Sequence, residues 1–483
     1  MLSIFASPKG YKAPPKRCVY SQKSKLSDQE HASVYRCIQP ALNYKKNMCC
    51  FHDDTFYTIE DNKSTVIDTL KEYLRQPKRE DKDWLNCVGF NIPSEFEWKD
   101  YTFEQPVNFT RARFYGKTTF QNVIFEKNVT FSYSLFDNLA IFSSNIFKGE
   151  AHFSHVHFKQ KVAFKGKPFE EEQRRNRFEG FTNFYHAQFD RQIDFSGIEF
   201  TSAYNGKEQG NFSHIDFADE VDFDSSPYQS DMFPVSPEID LRHALQPAIT
   251  FNDTTFRKRA RFKGEAYEKL QLGLVSLANV DMTNIEFYNV DWLREGSLFK
   301  RRAIIDEVIL GSKGKNEQEK LYKNRFEKAF SIYNELKKNF ESHLSFNEAS
   351  DFFIGSMEVE RKRCLYCENS SFIDKMRSIG GFGIYKLLNL YGESTFLPLF
   401  WSIVIIFIFA FIRAAYGICS DSDLACPCEC SFQEKLFDSL AAYFQFPRND
   451  DLWIDTLERI VSLPILGMAI KSFASTKRFE SIR

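Results

Sequence analysis

The sequence "VTFSYSLFDNLAIFSSNIF", residues 129–147, places phenylalanine at positions 131, 136, 142 and 147. The gaps alternate between five and six residues, whereas side chains on one face recur about every 3.6 residues in a helix and every two in a strand. The same spacing continues on both sides of this stretch. It includes Phe109, Phe114, Phe120, Phe125, Phe153, Phe158, Phe164 and Phe169, and more loosely Phe178, Phe184, Phe189, Phe195, Phe200, Phe212, Phe217, Phe223, Phe251, Phe256 and Phe262. This period predicts an internal repeat.

A small or β-branched residue often stands two positions before each phenylalanine, as in Val129, Ala140 and Val156. Two residues that alternate in this way point to the same side of a very short strand. A new strand every five or six residues requires a turn between strands, which gives a coil with short flat sides. Stacked coils bury a continuous phenylalanine core, and the sequence therefore predicts a β-solenoid.

The pattern resembles the pentapeptide-repeat family, in the variant whose five- and six-residue steps alternate. Near its end the step becomes strictly five, with Val280, Ile285 and Val290 accompanied by Met282, Phe287 and Trp292. The resemblance covers about 100–292 and implies a right-handed quadrilateral β-helix. Some members of the family imitate DNA with a strongly acidic surface. Residues 101–270 contain 21 Lys and Arg against 23 Asp and Glu, too small an excess for that role, and no nucleic-acid partner is expected.

Length and composition divide the rest of the chain. The 483 residues include 52 phenylalanines and have a formal net charge of −2, which favours several domains and no polyanionic partner. We expect a Cys-rich cap at 1–99, the solenoid at 100–292, a helical hairpin and linker at 293–390, and a membrane domain at 391–483. The N-terminus lacks the apolar run of a signal peptide, so export of the first half is not expected. No nucleophile, phosphate-loop or metalloprotease motif occurs, and we do not expect an enzyme.

Helical periodicity begins after residue 320. One apolar stripe comprises Phe326, Phe330, Tyr333, Leu336 and Phe340, and a second helix is predicted to bury Phe346, Ala349, Phe353 and Met357. This segment resembles the helical hairpin that joins pentapeptide solenoids to membrane segments in bacterial proteins.

Two transmembrane helices are predicted in the last domain. Residues 396–412 form an uncharged run of 17, long enough with its flanks to span a bilayer as 396–416. The second, at 458–475, contains Pro464 and Lys471. The segment between the two, 414–459, contains nine Asp and Glu against three Lys and Arg, whereas the outer flanks are basic. The positive-inside rule therefore predicts cytoplasmic termini in a bacterial-type inner membrane.

Between these helices lies 434–447, a re-entrant or amphipathic stretch too short to span. The layout resembles the ion-channel-like tail of pentapeptide-repeat proteins, which makes Tyr443, Phe444, Gln445 and Phe446 the pore-like segment. A potassium filter needs glycines there, and none occurs between Gly417 and Gly467, so potassium selectivity is excluded. Two helices cannot enclose a pore, so a pore requires a homo-oligomer, most simply a tetramer.

The cysteines suggest two kinds of site. "MCCFHDD" resembles the C-x-x-H end of a Cys-rich knuckle found before the solenoid in some relatives, and Cys49 and His52 with Cys18 and Cys37 make a candidate structural zinc site. Thiols packed in a small cap are the alternative. In the predicted external loop we expect disulfides, or less readily a metal clip, among Cys419, Cys426, Cys428 and Cys430. His152, His155 and His157 are predicted to be surface residues.

The leading hypothesis for function is therefore a membrane-anchored solenoid that oligomerises into an ion-channel-like pore without a potassium filter. The alternative is a non-conducting scaffold whose solenoid recruits a cytosolic protein partner. An effector that permeabilises its own cell fits the same architecture. All three imply the lipid bilayer as a partner.

Overall fold

The computed structural model describes residues 21–23, 34–36, 49–53, 60–75, 84–164, 175–200, 208–224, 247–264, 269–296, 300–312, 319–366, 372–416, 431–446 and 453–480. The chain forms two compact units. The first comprises 1–294 and 303–314, and the second comprises 295–302 and 315–483.

The first unit is dominated by three parallel sheets that run along a solenoid. An eight-stranded sheet contains Leu85–Asn86, Val107–Asn108, Val129–Thr130, Ala151–His152, Thr182–Asn183, Gly210–Asn211, Ile249–Thr250 and Val275–Ser276. A seven-stranded sheet contains Asn91–Ile92, Arg113–Phe114, Leu135–Phe136, His157–Phe158, Gln188–Phe189, Asp216–Phe217 and Thr255–Phe256. The third sheet contains Phe96–Phe103, Thr118–Phe125, Ala140–Ser143, Ile146–Phe147, Val162–Ala163, Asn176–Phe178, Ile193–Asp194, Ile198–Phe200, Val221–Asp224, Ala260–Lys263 and Ile285–Tyr288.

The third sheet covers two sides of the tube, because its two longest strands continue around a corner. Thr118–Phe125 pairs with Ala140–Ser143 through its first half and with Ile146–Phe147 through its second half. Each coil therefore has four flat sides. The remaining short strands are Ser21–Lys23, Val34–Arg36, Leu270–Gln271, Val290–Asp291, Leu293–Glu295 and Arg301–Ala303.

Phenylalanine rings fill the tube in four stacked columns, as the spacing predicts. In one column Phe109, Phe131 and Phe153 stack with centroid separations of 5.1 and 5.2 Å. In another, Phe120 and Phe164 lie above and below Phe142 at 5.4 and 4.7 Å. All of these rings are fully buried. The β-solenoid prediction is confirmed.

The solenoid begins earlier than the phenylalanine pattern indicates. Its first coil starts at Leu85, which pairs with Val107, rather than near residue 100. The inward positions of that coil include Leu85, Cys87, Phe90 and Ile92, which are all buried. Because only one of these four is phenylalanine, the spacing rule missed the coil.

Both ends of the tube are covered by helices. At the start, Phe51 stacks on Phe90 at 4.2 Å, and helix α1 (Glu60–Arg75) places the Tyr73 hydroxyl 3.3 Å from the carbonyl oxygen of Asn86. At the other end lies helix α2 (Ile305–Ser312), where Asp306 accepts a hydrogen bond of 2.9 Å from Ser276. Covered ends keep the outermost strands from pairing with other chains.

The second unit starts with two long helices, α3 (Glu319–Ser342) and α4 (Phe346–Tyr366), which pack together. Tyr333 of α3 lies against Gly355 of α4, where a Cβ atom would approach the Tyr333 ring to 2.4 Å. The buried face of α4 differs from the prediction: it contains Ala349, Phe352, Ser356 and Val359. Adjacent Phe352 and Phe353 fit two registers equally well, and packing against α3 selects Phe352.

The rest of the second unit is helical. It comprises α5 (Phe372–Met376), a π-helix (Arg377–Gly383), α6 (Ile384–Asn389), a 3₁₀ turn (Leu390–Gly392), α7 (Phe396–Ala415), α8 (Phe432–Tyr443) and α9 (Trp453–Glu480). Of the helices in the described residues, only α7 is long and apolar enough to cross a membrane. Of the two predicted spans, 396–416 corresponds to this one candidate helix, whereas α9, which contains 458–475, does not meet the same criterion. The predicted 434–447 segment begins two residues earlier and ends at Tyr443, because Ser431 and Glu434 form a capping box at its start.

Candidate functional site

The three helices α7, α8 and α9 pack together with an unusual distribution of polarity. Their shared core contains Ile405, Ile406, Phe409, Tyr443, Ile454 and Ile465. Large apolar side chains also cover the outside, including Phe396, Leu399, Phe400, Ile403, Phe407, Ile408, Phe411, Phe437, Trp453, Leu457, Ile460, Val461, Leu463 and Ile470. A soluble monomer rarely exposes an apolar surface this continuous.

Charged residues lie inside this group of helices. Arg413, near the end of α7, is fully buried together with Asp455 and Glu458, near the start of α9. The Arg413 Nη2 atom lies 2.6 Å from Asp455 Oδ1 and 2.8 Å from Glu458 Oε2. An arginine at this depth needs paired carboxylates, because removing its charge from water without a partner costs several kcal/mol.

Helix α8 joins the same cluster through Ser439. Its Oγ lies 2.9 Å from the carbonyl oxygen of Ile406 and within hydrogen-bond distance of Glu458. The Ser439 hydroxyl thereby links α8 to the backbone of α7 and to the carboxylate of Glu458 in α9.

The four residues predicted to be pore-like form a turn that is bonded to α9 of the same chain. The carbonyl oxygen of Tyr443 accepts a 3.2 Å hydrogen bond from Ser462, and that of Phe446 accepts a 2.7 Å hydrogen bond from Arg459. Gln445 has a left-handed backbone (φ 62°) and donates to the carbonyl oxygen of Arg459 at 3.2 Å. Two of the four carbonyls are therefore occupied within the chain.

The cluster around Arg413 was not predicted from the sequence. Its signal was present as a single arginine just after the apolar run 396–412 and an Asp–Glu pair, three residues apart, before the second run. In the sequence interpretation, Asp455 and Glu458 count among the acidic residues of 414–459, and Arg413 lies near the end of the predicted span 396–416. Only the packing of α7 on α9 shows that they meet.

The predicted zinc ligands are partly described. Cys49 Sγ lies 3.1 Å from His52 Nδ1, and both residues are buried. His52 Nε2 lies 2.9 Å from the carbonyl oxygen of Val88, which only accepts, so Nε2 carries the proton and Nδ1 presents its lone pair towards the sulfur. Their 3.1 Å separation is that of a thiol hydrogen bond to Nδ1, whereas neighbouring S and N ligands of a tetrahedral zinc lie roughly 3.5 Å apart.

The other cysteine predictions lie outside the described residues. These are Cys18 and Cys37 of the zinc site and the loop cysteines Cys419, Cys426, Cys428 and Cys430. Within the described ranges, no group of three or more His, Cys, Asp and Glu residues could hold a metal ion.

One outer corner of the solenoid bears a column of rings. Tyr133 and His155 stack at 4.5 Å, His155 and His186 at 5.0 Å, and His186 and His214 at 4.9 Å. Each of these residues has a left-handed backbone at the same turn of successive coils. His155 therefore lies at the surface as predicted. Its stacking between Tyr133 and His186 was not indicated by the neighbouring sequence.

The pKa values of two of these histidines are shifted. Burial, and then the charge of the next histidine along the column, lower the pKa of His155 and of His186. His155 and His186 therefore resist protonation at this corner.

Comparison with known families agrees with the core of the fold. Residues 101–144 match the model described as pentapeptide repeats (9 copies). No curated protein and no solved structure matches the chain. The chain thus carries pentapeptide repeats, and the function of the remainder must be argued from its own residues.

Proposed function

We propose that this protein is a membrane-anchored pentapeptide-repeat scaffold, in which α7, α8 and α9 embed in a bilayer and the solenoid recruits a protein partner on the cytoplasmic side. One observation carries the anchoring: the Arg413 ion pairs are buried inside three helices whose outer surface is apolar. Lipid is the solvent that favours this arrangement, because ionisable groups in membranes face the interior of a helix bundle and pair there.

Membrane anchoring is tested by fractionation of the full chain. We expect the protein to stay in the membrane pellet after washing with alkaline carbonate and to be released by detergent. As a control for aggregation, the pelleted protein should float with lipid in a density gradient. A chain that remains in the aqueous fraction without detergent would refute the proposal.

The scaffold is better supported than the pore by the hydrogen bonds of the 443–446 turn. A carbonyl-lined filter needs oxygens that face an open axis. Here the carbonyl oxygens of Tyr443 and Phe446 accept from Ser462 and Arg459. A scaffold does not need to conduct ions. In it, the 443–446 turn fastens α8 to α9.

A pore remains the second candidate because of the order of the helices. A short helix of 12 residues, about 18 Å long, lies between two longer ones, as in pore-forming pairs of spans. Its test combines the mass of the purified oligomer with ion flux from liposomes. Conduction by an oligomer, altered by Gln445→Ala, would favour the pore. A monomer, or a sealed vesicle under every gradient tried, favours the scaffold.

We further propose one structural zinc ion in the N-terminal cap, held by Cys49, His52, Cys18 and Cys37. The orientation of the His52 ring supports two of these ligands. Zinc would cross-link the cap and so stabilise it. Elemental analysis of the purified full chain should find one zinc per chain, lost in Cys49→Ser and kept in the control Cys364→Ser. A metal-free wild type that remains folded would refute the site.

A further inference from the structure

The segment before α7 has its polarity reversed relative to a helix on the surface of a soluble protein. Residues 372–389 run as α5, the π-helix and α6 in succession. The face that packs on α4 is polar: Ser378 is fully buried and its hydroxyl donates a 3.0 Å hydrogen bond to the carbonyl oxygen of Arg361. On the same side, Lys386 Nζ lies 3.1 Å from Glu358 of α4.

The opposite face is a stripe of large apolar side chains. Each is more than half exposed, at 54–77%: Phe372, Ile373, Met376, Ile379, Ile384 and Leu387. The five-residue step from Ile379 to Ile384 crosses the π-helix, whose hydrogen bonds join residues five apart, so the stripe stays on one side. A surface helix in water would turn these residues inward.

The position of this stripe indicates what covers it. Seven residues after Asn389, α7 begins with Phe396, which is 71% exposed, so the apolar surface continues towards the membrane helix. The Trp401 indole N–H of α7 donates a 2.9 Å hydrogen bond to the carbonyl oxygen of Leu387, which fixes the end of the segment to α7. Tryptophan and lysine, here Trp401 and the exposed Lys375, are the side chains favoured where bilayer meets water.

We propose that residues 372–389, the interfacial segment, lie in the plane of the bilayer–water interface with the apolar stripe among the lipid acyl chains. The partner is a lipid surface, and this inference rests on the proposed membrane anchoring. An amphipathic helix with an apolar face of this kind partitions into the headgroup–acyl boundary. Because its polar face is bound to α4 through Glu358 and Arg361, the segment fastens the α3–α4 hairpin to the membrane surface.

Photo-crosslinking of the full chain tests this placement. Benzoylphenylalanine is incorporated singly at position 379 in the interfacial segment, at 407 on the exposed side of α7, and at 133 on the solenoid corner, and the protein is irradiated in liposomes of phosphatidylethanolamine and phosphatidylglycerol. We expect lipid adducts by mass spectrometry from 379 and 407 and none from 133. Adducts at 407 alone would overturn the interfacial segment and leave the anchoring intact, as would crosslinks from 379 only to a second copy. Absence of lipid adducts at both positions would refute the anchoring itself.

A second variant separates lipid contact from accidental proximity. Ile379→Ser with Ile384→Ser removes two apolar side chains that are 66% and 54% exposed. Transfer of each isoleucine from lipid to water changes a partition constant by roughly tenfold or more. Lipid adducts from a probe at 387 should then fall at least about tenfold, while adducts from 407 stay constant. Unchanged adducts at 387 would contradict the proposal.

Discussion

Replacing Phe142 with alanine tests whether the phenylalanine columns hold the solenoid together. The Phe142 ring is fully buried and stacks between Phe120 and Phe164 at 5.4 and 4.7 Å. It also meets the edges of Phe131 and Phe153, both at 5.7 Å. Phe→Ala in a core costs about 3–5 kcal/mol, and the loss of stacked pairs places this position in the upper part of that range.

The measurement is hydrogen exchange of the full chain, resolved by peptide. A loss of about 4 kcal/mol corresponds to hydrogen exchange roughly 1,000-fold faster through local opening. We expect this in strand Ala140–Ser143 and in its partners Thr118–Phe125 and Val162–Ala163. Coils contact only their neighbours, so strand Ala260–Lys263 should be unaffected. The control is Ile141→Ala, the adjacent, partly exposed position.

Two results would contradict the reasoning. If Phe142→Ala exchanges no faster than Ile141→Ala, the columns do not supply the stability assigned to them. If all coils accelerate equally, the solenoid unfolds as one unit and the nearest-neighbour description fails.

Three further predictions concern charge. Burial alone would raise the pKa of Glu358, but hydrogen bonds from Arg361 and Tyr391 and the charge of Lys386 lower it from 4.5 to about 2. This carboxylate stabilises the fold by about 3 kcal/mol above pH ~4.5, and the stabilisation is lost as the pH falls from ~4.5 towards 2. Hydrogen exchange of the amides in α4 should therefore become faster in acid in the wild type and not in Glu358→Gln. A histidine with a lowered pKa destabilises the fold as the pH falls below its unfolded value of about 6.5. Asparagine already occupies the equivalent left-handed corner position at Asn279, so His186→Asn is the suitable variant. Its melting temperature should change less between pH 7 and pH 5 than that of the wild type, and an equal change in both proteins would refute the histidine contribution. Arg413→Met leaves the Asp455 and Glu458 side chains buried without a cation, at a cost of about 3–5 kcal/mol; the melting temperature in detergent should fall, with Lys471→Met as an exposed control, and an unchanged melting temperature would show that the ion pairs are dispensable.

The sequence predicts the repeat itself more accurately than the boundaries of the repeat. Phenylalanine spacing depends only on the local step of the chain, so it predicted the coils around Phe131 and Phe142 directly. The first coil at Leu85 escaped, because an inward cysteine or isoleucine packs at the end of a column as well as phenylalanine does. Likewise, α4 offered Phe352 and Phe353 as alternatives, and only its neighbour α3 distinguished them.

For the candidate site, what the sequence determines and what the tertiary structure determines are easier to separate. The sequence by itself determined that an apolar helix of membrane length follows the solenoid and that no glycine lies between Gly417 and Gly467, because both follow from composition along a continuous stretch. The tertiary structure alone decided that Arg413 meets Asp455 and Glu458, about 40 residues further on, and that the residues 443–446 bond to α9. Periodicity reports which face of a segment is apolar. It does not report which two segments meet, and a buried charge is stable only where they do.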